Sequence, residues 1–201
     1  MISSTLEHLD LSYNKIGNKG IMNFGKCLEE NTCDIKILAL NTCHFDNIGM
    51  FFLGKSIRTN GSLNQLSVDN NDLNGKYRDK LRDMIVQNNS LRKVSINRWN
   101  LGNIGASAVA KGYAKSSNIT HINLSNNYIS DEGIRPFIKT LKIYRQNYLK
   151  MLNLSHNLIS QAMAVKLTNI VDRKDQPPLY INLTDNLTKT KGKLQFSFWS
   201  L

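Results

Sequence analysis

Four histidines (His8, His44, His121, His156) and three cysteines (Cys27, Cys33, Cys43) are the side chains of this 201-residue chain suited to acid–base, nucleophilic or metal chemistry. A structural zinc site needs about four N or S ligands converging on one point. The densest such set is Cys33, Cys43 and His44, and Cys43 is needed elsewhere, in a turn described below. His8 and His121 occupy the same place in a repeating pattern, but four units apart, roughly 20 Å at strand spacing. No glycine loop of the GxxxxGK[ST] type is present to cradle a phosphate. The expectation is therefore no catalytic residue, no metal and no cofactor. Seven N-x-[ST] tripeptides begin at Asn60, Asn88, Asn118, Asn123, Asn153, Asn182 and Asn186. Several are written by the repeat itself as N-L-S or N-L-T. The start, MISSTLEHLDLSYN, has no apolar signal core, so none is expected to carry glycan. An odd number of cysteines without framework spacing reads as free thiols in a reducing, cytoplasmic setting.

Charge is the second chemical signal. The formal net charge is +11, with +3 on residues 1–100 and +8 on residues 101–201. A basic half favours an acidic partner: nucleic acid, an anionic membrane, or an acidic protein such as tubulin or actin. Arg135, Lys139 and Lys142 recur at i, i+4 and i+7, a basic outer stripe on one helix face, with Arg145 and Lys150 just beyond. Ile134, Phe137, Ile138 and Leu141 fall on the adjoining face. Aromatic residues are not interleaved with these charges and no nucleic-acid-binding motif is present, so nucleic acid is not the expected partner. No run of about 18 apolar residues is present, so no membrane span is expected.

The elements that must position these residues come from an internal repeat. Apolar residues at offsets 0, 3 and 5, followed by a residue at offset 8, recur seven times. The sets begin at Leu6, Ile35, Leu63, Leu91, Ile119, Leu149 and Pro178, spaced 28 to 30 residues apart. Offset 8 reads Asn14, Cys43, Asn71, Trp99, Asn127, Asn157, Asn186. After it, apolar or small residues fall at four-residue steps, as in Gly20, Phe24, Leu28; Tyr77, Leu81, Ile85; Gly133, Phe137, Leu141. Each unit is thus a short strand, a turn and a helix. Gly20, Gly49, Gly105 and Gly133 at helix starts are expected to let neighbouring backbones approach.

The pattern LxxLxLxxN…G…L…L, over roughly residues 6–188, resembles the ribonuclease-inhibitor class of leucine-rich repeats. The resemblance implies an α/β solenoid, a horseshoe with parallel strands on the concave face and helices on the convex face. One unit cannot bury its own leucines, but stacked units form a continuous core. Offset-8 asparagines are expected to bond buried turn backbone. Cys43 can act there as a small weak donor. Trp99 is not comfortable in that role, so the fourth unit is expected to distort its turn, or to shift register and use Asn97 or Asn100.

Offsets 2, 4 and 6 face the groove. Offset 2 reads His8, Ile37, Gln65, Lys93, His121, Met151, Tyr180. Concave-face binding is expected to centre on Lys93, Arg98, His121, Met151 and Tyr180, because aromatic and basic anchors dominate interface energy. The domain reading is a solenoid of about seven repeats over 1–188, then a basic linker and apolar tail over 189–201. Leu194, Phe196 and Phe198 alternate there and Trp199 follows, so Phe196, Phe198 and Trp199 are the expected anchors of a cap or docking tail. The few residues before Leu6 cannot build a cap, so the first edge is expected to be covered by another protein or by missing sequence.

The leading functional expectation is a non-enzymatic protein-interaction scaffold, a structural subunit of a larger intracellular assembly in the cytoskeleton or the axoneme of a cilium. Two alternatives stand beside it. One is a regulator of a small GTPase or another enzyme, as the resemblance to Ran GTPase activators and ribonuclease inhibitor implies. The other is a bacterial effector that uses the repeat to bind a host protein.

Overall fold

The computed structural model describes residues 5–71, 81–143, 148–171 and 178–188. Tyr77, Arg145 and the tail anchors Phe196, Phe198 and Trp199 lie outside the described residues. The strands are β1 (His8–Asp10), β2 (Ile37–Ala39), β3 (Gln65–Ser67), β4 (Lys93–Ser95), β5 (His121–Asn123), β6 (Met151–Asn153) and β7 (Tyr180–Asn182). Between them run α1 (Gly17–Glu29), α2 (Asn47–Ile57), α3 (Leu81–Gln87), α4 (Gly102–Tyr113), α5 (Asp131–Ile143) and α6 (Gln161–Val171). The seven strands form one parallel sheet in chain order, β1 to β7. Register is unbroken: His8, Ile37, Gln65, Lys93, His121, Met151 and Tyr180 stand opposite one another in turn. This is the leucine-rich-repeat solenoid that the repeat spacing implies.

Offsets 0, 3 and 5 build the core in units two to six. Ile35, Leu38, Leu40, Leu63, Leu66, Val68, Leu91, Val94, Ile96, Ile119, Ile122, Leu124, Leu149, Leu152 and Leu154 are all buried. At the first unit Leu6 is exposed and Leu9 and Leu11 are only partly covered. At the seventh, Ile181 and Leu183 are likewise half-buried. That gradient is what a one-dimensional stack produces, because among the described residues the first and seventh strands each pair with one other strand instead of two.

Directly after each strand the chain turns at offset 7 with a positive φ, in all seven units: Tyr13, Thr42, Asn70, Arg98, Asn126, His156 and Asp185, with φ between 53° and 61°. A left-handed residue reverses the chain and directs it toward the helix layer, and here it is not glycine. The fourth unit uses the same turn, and β4 is in register on both sides. The expected distortion or register shift at Trp99 is therefore not found. The reason is chemical. The offset-8 amide donates to the carbonyl at offset 5 of the preceding unit: Asn71 Nδ2 to Leu40 O (2.8 Å), Asn127 Nδ2 to Ile96 O (2.7 Å), Asn157 Nδ2 to Leu124 O (3.0 Å), Asn186 Nδ2 to Leu154 O (2.8 Å). Cys43 Sγ donates to Leu11 O at 3.2 Å. The Trp99 indole N–H donates to the equivalent carbonyl, Val68 O. Its ring lies fully buried, edge-on to Phe45 with centroids 5.6 Å apart.

The helix-start glycines also act differently from expectation. A Cβ at Gly20 would strike the Ile16 side chain and one at Gly105 the Leu101 side chain, both in the same unit's own turn. At Gly49 and Gly133 the space is taken largely by side chains, Asn18 Oδ1 and Phe45 at one, Asn103 Oδ1 and Ile129 at the other, although Asn103 Cα also approaches Gly133. Close backbone approach is clearest at Gly112 of α4, where a Cβ would lie 3.0 Å from Arg82 O of α3. No helix among the described residues is long and apolar enough to cross a membrane.

Candidate protein-binding face

The concave sheet face is the candidate site, and its rows differ in what they leave open. At offsets 4 and 6 the polar side chains are turned on one another. Asn41 Oδ1 accepts from Ser67 Oγ (2.6 Å) and Asp69 N (2.8 Å), and Asp69 Oδ1 accepts from Ser95 Oγ (2.7 Å) and Asn97 N (2.8 Å). From the fifth unit the arrangement changes. Asn123, Asn153 and Asn182 each accept through Oδ1 from the backbone N–H and hydroxyl two residues on, at Ser125, Ser155 and Thr184. Ser67, Ser95, Asn123, Ser125 and Ser155 are buried as a result. Burial raises the Asp69 carboxyl above the usual carboxylate range, partly offset by its hydrogen bonds from Asn97 and Ser95. These rows face the groove as alternation requires, but their hydrogen-bonding capacity is largely spent within the sheet.

The offset-2 row at the strand entrances is more accessible. Lys93, His121 and Met151 are half-exposed and Tyr180 is exposed, on four successive strands in register. Arg98 does not join them: it stands in the turn beyond the opposite end of β4 and is one of the charges acting on Asp69. Lys150, placed by the helix pattern beyond the outer stripe, belongs here instead. It leads directly into β6, its N–H donates to Thr120 O (2.7 Å), and its charge acts on His121. Arg92 precedes Lys93 in the same way and is exposed. The outer stripe is as drawn: Arg135, Lys139 and Lys142 are exposed on α5, while Ile134, Phe137 and Leu141 are buried and Ile138 is partly so.

His121 stands half-buried in this row. Its pKa lies below the ordinary imidazole value because burial disfavours the cation, and the positive charges of Lys93 and Lys150 add to the effect. Thr120 Oγ1 donates to Arg92 O (3.2 Å) and lies 2.8 Å from His121 Nδ1. The stability consequence has a definite sign. The unfolded chain takes up a proton near the ordinary imidazole value of about 6.5, before the folded chain does. Stability is thus full above that value and falls as pH drops through it toward the lower folded pKa. Wild type is expected to lose denaturation midpoint relative to His121→Gln between about pH 7 and pH 5.5. Parallel midpoints in urea titrations across that range would contradict this.

Sequence reasoning missed a further ladder just before the strands. Asn60 Nδ2 donates to Leu28 O (3.0 Å) and Asn88 Nδ2 to Ile57 O (2.6 Å), while Leu63 N and Leu91 N donate back to their Oδ1 atoms at 2.8 and 2.6 Å. Both asparagines are 2% exposed. The signal was visible as N-x-S-L ahead of two strands, and was read there only as a glycosylation pattern. Cys33 is buried, Cys43 donates to Leu11 O, and no three His, Cys, Asp or Glu converge among the described residues.

A parallel sheet of seven short strands, each returned through a left-handed turn and bridged by offset-8 donors, defines a leucine-rich-repeat interaction fold. The chain's repeats are similar to those of leucine-rich-repeat proteins of the ribonuclease-inhibitor-like class. The leucine-rich-repeat family model matches residues 3–25 and 115–137. The chain is 26% identical over 185 residues to human NACHT, LRR and PYD domains-containing protein 5, covering 92% of this chain and 15% of that protein. It is 25% identical over 197 residues to mouse ribonuclease inhibitor, covering 96% of this chain and 42% of that protein. The chain therefore spans less than half the length of each of these relatives. Among solved structures, the actin-binding site 2 of leiomodin-1 superposes with a TM-score of 0.54 at 21% identity, over 61% of this chain and 72% of that one. The tropomodulin C-terminal domain of Caenorhabditis elegans gives 0.56 at 16% identity, over 73% and 86%. These structures share the fold.

Proposed function

We propose that this chain is a non-enzymatic protein-binding module that holds its partner on the concave face, as part of a cytoskeletal assembly. The observation that carries the reading is the in-register row Lys93, His121, Met151, Tyr180, the accessible row of a sheet whose other polar side chains are bonded to each other. A mixed basic, apolar and aromatic strip is the composition of interface anchors. Two kinds of similar protein support a binding role. Ribonuclease inhibitor is named for inhibition, and the leiomodin-1 domain is named as an actin-binding site. The described histidines support no shared acid–base site: His156 pairs with Asp185 at 3.3 Å, and His8 and His121 are on β1 and β5. The cytoskeletal setting draws on the names of the two fold neighbours, a leiomodin-1 actin-binding site and a tropomodulin domain. The tail over 189–201 belongs to the same reading as a cap or docking segment.

Co-sedimentation with filamentous actin and capture of partners from native cells test the proposal. Alanine at Lys93, His121, Met151 and Tyr180 together is expected to weaken capture at least about tenfold, because hot-spot residues cost more than about 1 kcal/mol each. Unfolding midpoints of the variant are expected to stay near wild type. Capture that survives all four changes would move the interface to the outer helices.

A further inference from the structure

We infer that the strand-entrance lip of β4 to β7 is a seat for an acidic extended peptide segment, with Arg92, Lys93, His121 and Lys150 meeting its carboxylates and Met151 and Tyr180 meeting a neighbouring apolar side chain. The inference rests on the concave-face reading and names the partner's chemistry.

Charge complementarity commits the occupant. The two positions at each strand entrance from β3 to β7 read Asn64, Gln65; Arg92, Lys93; Thr120, His121; Lys150, Met151; Leu179, Tyr180. They hold three permanent cations, one histidine and no acid. The nearest acid in these rows is Glu7, two units before β3, and it is already paired with Lys36. The α5 stripe is the competing basic surface. Its own first turn carries Asp131 and Glu132, within a helical turn of Arg135, so local acids weaken its field. The ten entrance positions themselves hold no acid, and the half-buried setting of Lys93 strengthens its charge relative to open solvent.

Geometry favours a peptide over a nucleic acid. Strands lie about 4.8 Å apart, so β4 to β7 span roughly 15 Å, the reach of about four to five extended residues. The single aromatic of the row, Tyr180, stands at its end and not between the cations, whereas single-stranded nucleic acid is held by aromatics alternating with basic groups. A segment with acids toward β4 and an apolar residue toward β7 matches the order of side chains.

His121 gives the seat a pH response. The charged groups acting on it are Lys93 from the β4 side and Lys150 from the β6 side, with the Thr120 hydroxyl beside its own ring and burial adding to their effect. Without a partner these cations oppose its protonation. A carboxylate placed against them reverses the local field, so binding draws a proton onto the ring and tightens as pH falls.

The test uses the full chain and a labelled synthetic peptide of alternating Glu and Ala ending in Phe, followed by fluorescence anisotropy at low salt. Wild type is expected to bind, and Lys93→Glu with Lys150→Glu to weaken binding at least about tenfold. His121→Gln is expected to remove the tightening between about pH 8 and pH 6. Arg135→Glu, Lys139→Glu and Lys142→Glu together serve as the control that leaves binding intact. The inference is overturned if wild type does not bind, if the stripe variant loses binding instead, or if a single-stranded oligonucleotide of equal charge binds as tightly. If the peptide fails while the concave alanine variant still loses partner capture, the binding face stands and only its acidic occupant falls. If capture also survives, both fall.

Discussion

Trp99→Ala is expected to destabilise the protein by about 3–5 kcal/mol, the range for removing a large aromatic from a closed core. The ring is fully buried and meets Phe45 edge to face at 68°. Its loss leaves a cavity spanning the third and fourth units and strips Val68 O of the indole donor, though Asn71 Nδ2 still reaches that carbonyl at 2.7 Å. Trp99→Asn separates the two effects. It restores the amide found at this place in five other units while leaving most of the cavity. An intermediate loss is expected, smaller than for alanine by roughly 1 kcal/mol, the net worth of a typical hydrogen bond. Urea unfolding measures both. Equal losses in the two variants would mean that the indole serves as filler alone, and a loss under about 1 kcal/mol for alanine would mean that the fourth turn is not sealed by the ring.

Asn127→Ala is expected to cost about 2–5 kcal/mol. The side chain donates to Ile96 O (2.7 Å) and Ser125 O (3.0 Å), and its Oδ1 accepts from Trp99 N (2.9 Å) and Leu101 N (3.3 Å), all buried. A buried group left without a partner costs about 1–3 kcal/mol, and here more than one is orphaned at once. Asn14→Ala provides the internal comparison. Asn14 is exposed and bonds only carbonyls of its own turn, Leu11 O and Ser12 O, at 3.0 and 3.1 Å. Water replaces those bonds, so the loss there is expected under about 1 kcal/mol. Matching midpoint shifts for the two variants would contradict the inter-unit role of the asparagine ladder. Hydrogen exchange adds a local readout: in Asn127→Ala the amides of Trp99 and Leu101 lose protection first.

What the chain determines by itself is its repeat and the direction of its side chains. The spacing of 28 to 30 residues, the apolar offsets 0, 3 and 5, and the four-residue steps that follow are local properties. They act through the period of a strand and the period of a helix, and both are legible one unit at a time. The seven strands, their parallel order and the buried leucines follow from that pattern once units stack. Exposure of Arg135, Lys139 and Lys142 follows likewise from the face of one helix.

Only the tertiary structure decided the matters that depend on contacts between units. The indole of Trp99 substitutes for an asparagine because a ring nitrogen on a longer side chain reaches the same carbonyl, a fact of distance that residue type does not reveal. Asn60 and Asn88 became structural because their partners, Leu28 O and Ile57 O, lie a full repeat away. Lys150 moved from the helix stripe to the side of His121, and Arg98 away from Lys93, because a strand separates its entrance from its exit turn. Linear proximity to a helix or a neighbouring charge does not say at which end of the sheet a residue emerges. The groove narrowed in the same way. Asn41, Asp69, Ser95 and Asn123 alternate outward as a strand must, but pairing among themselves across adjacent strands leaves the entrance row as the more accessible surface.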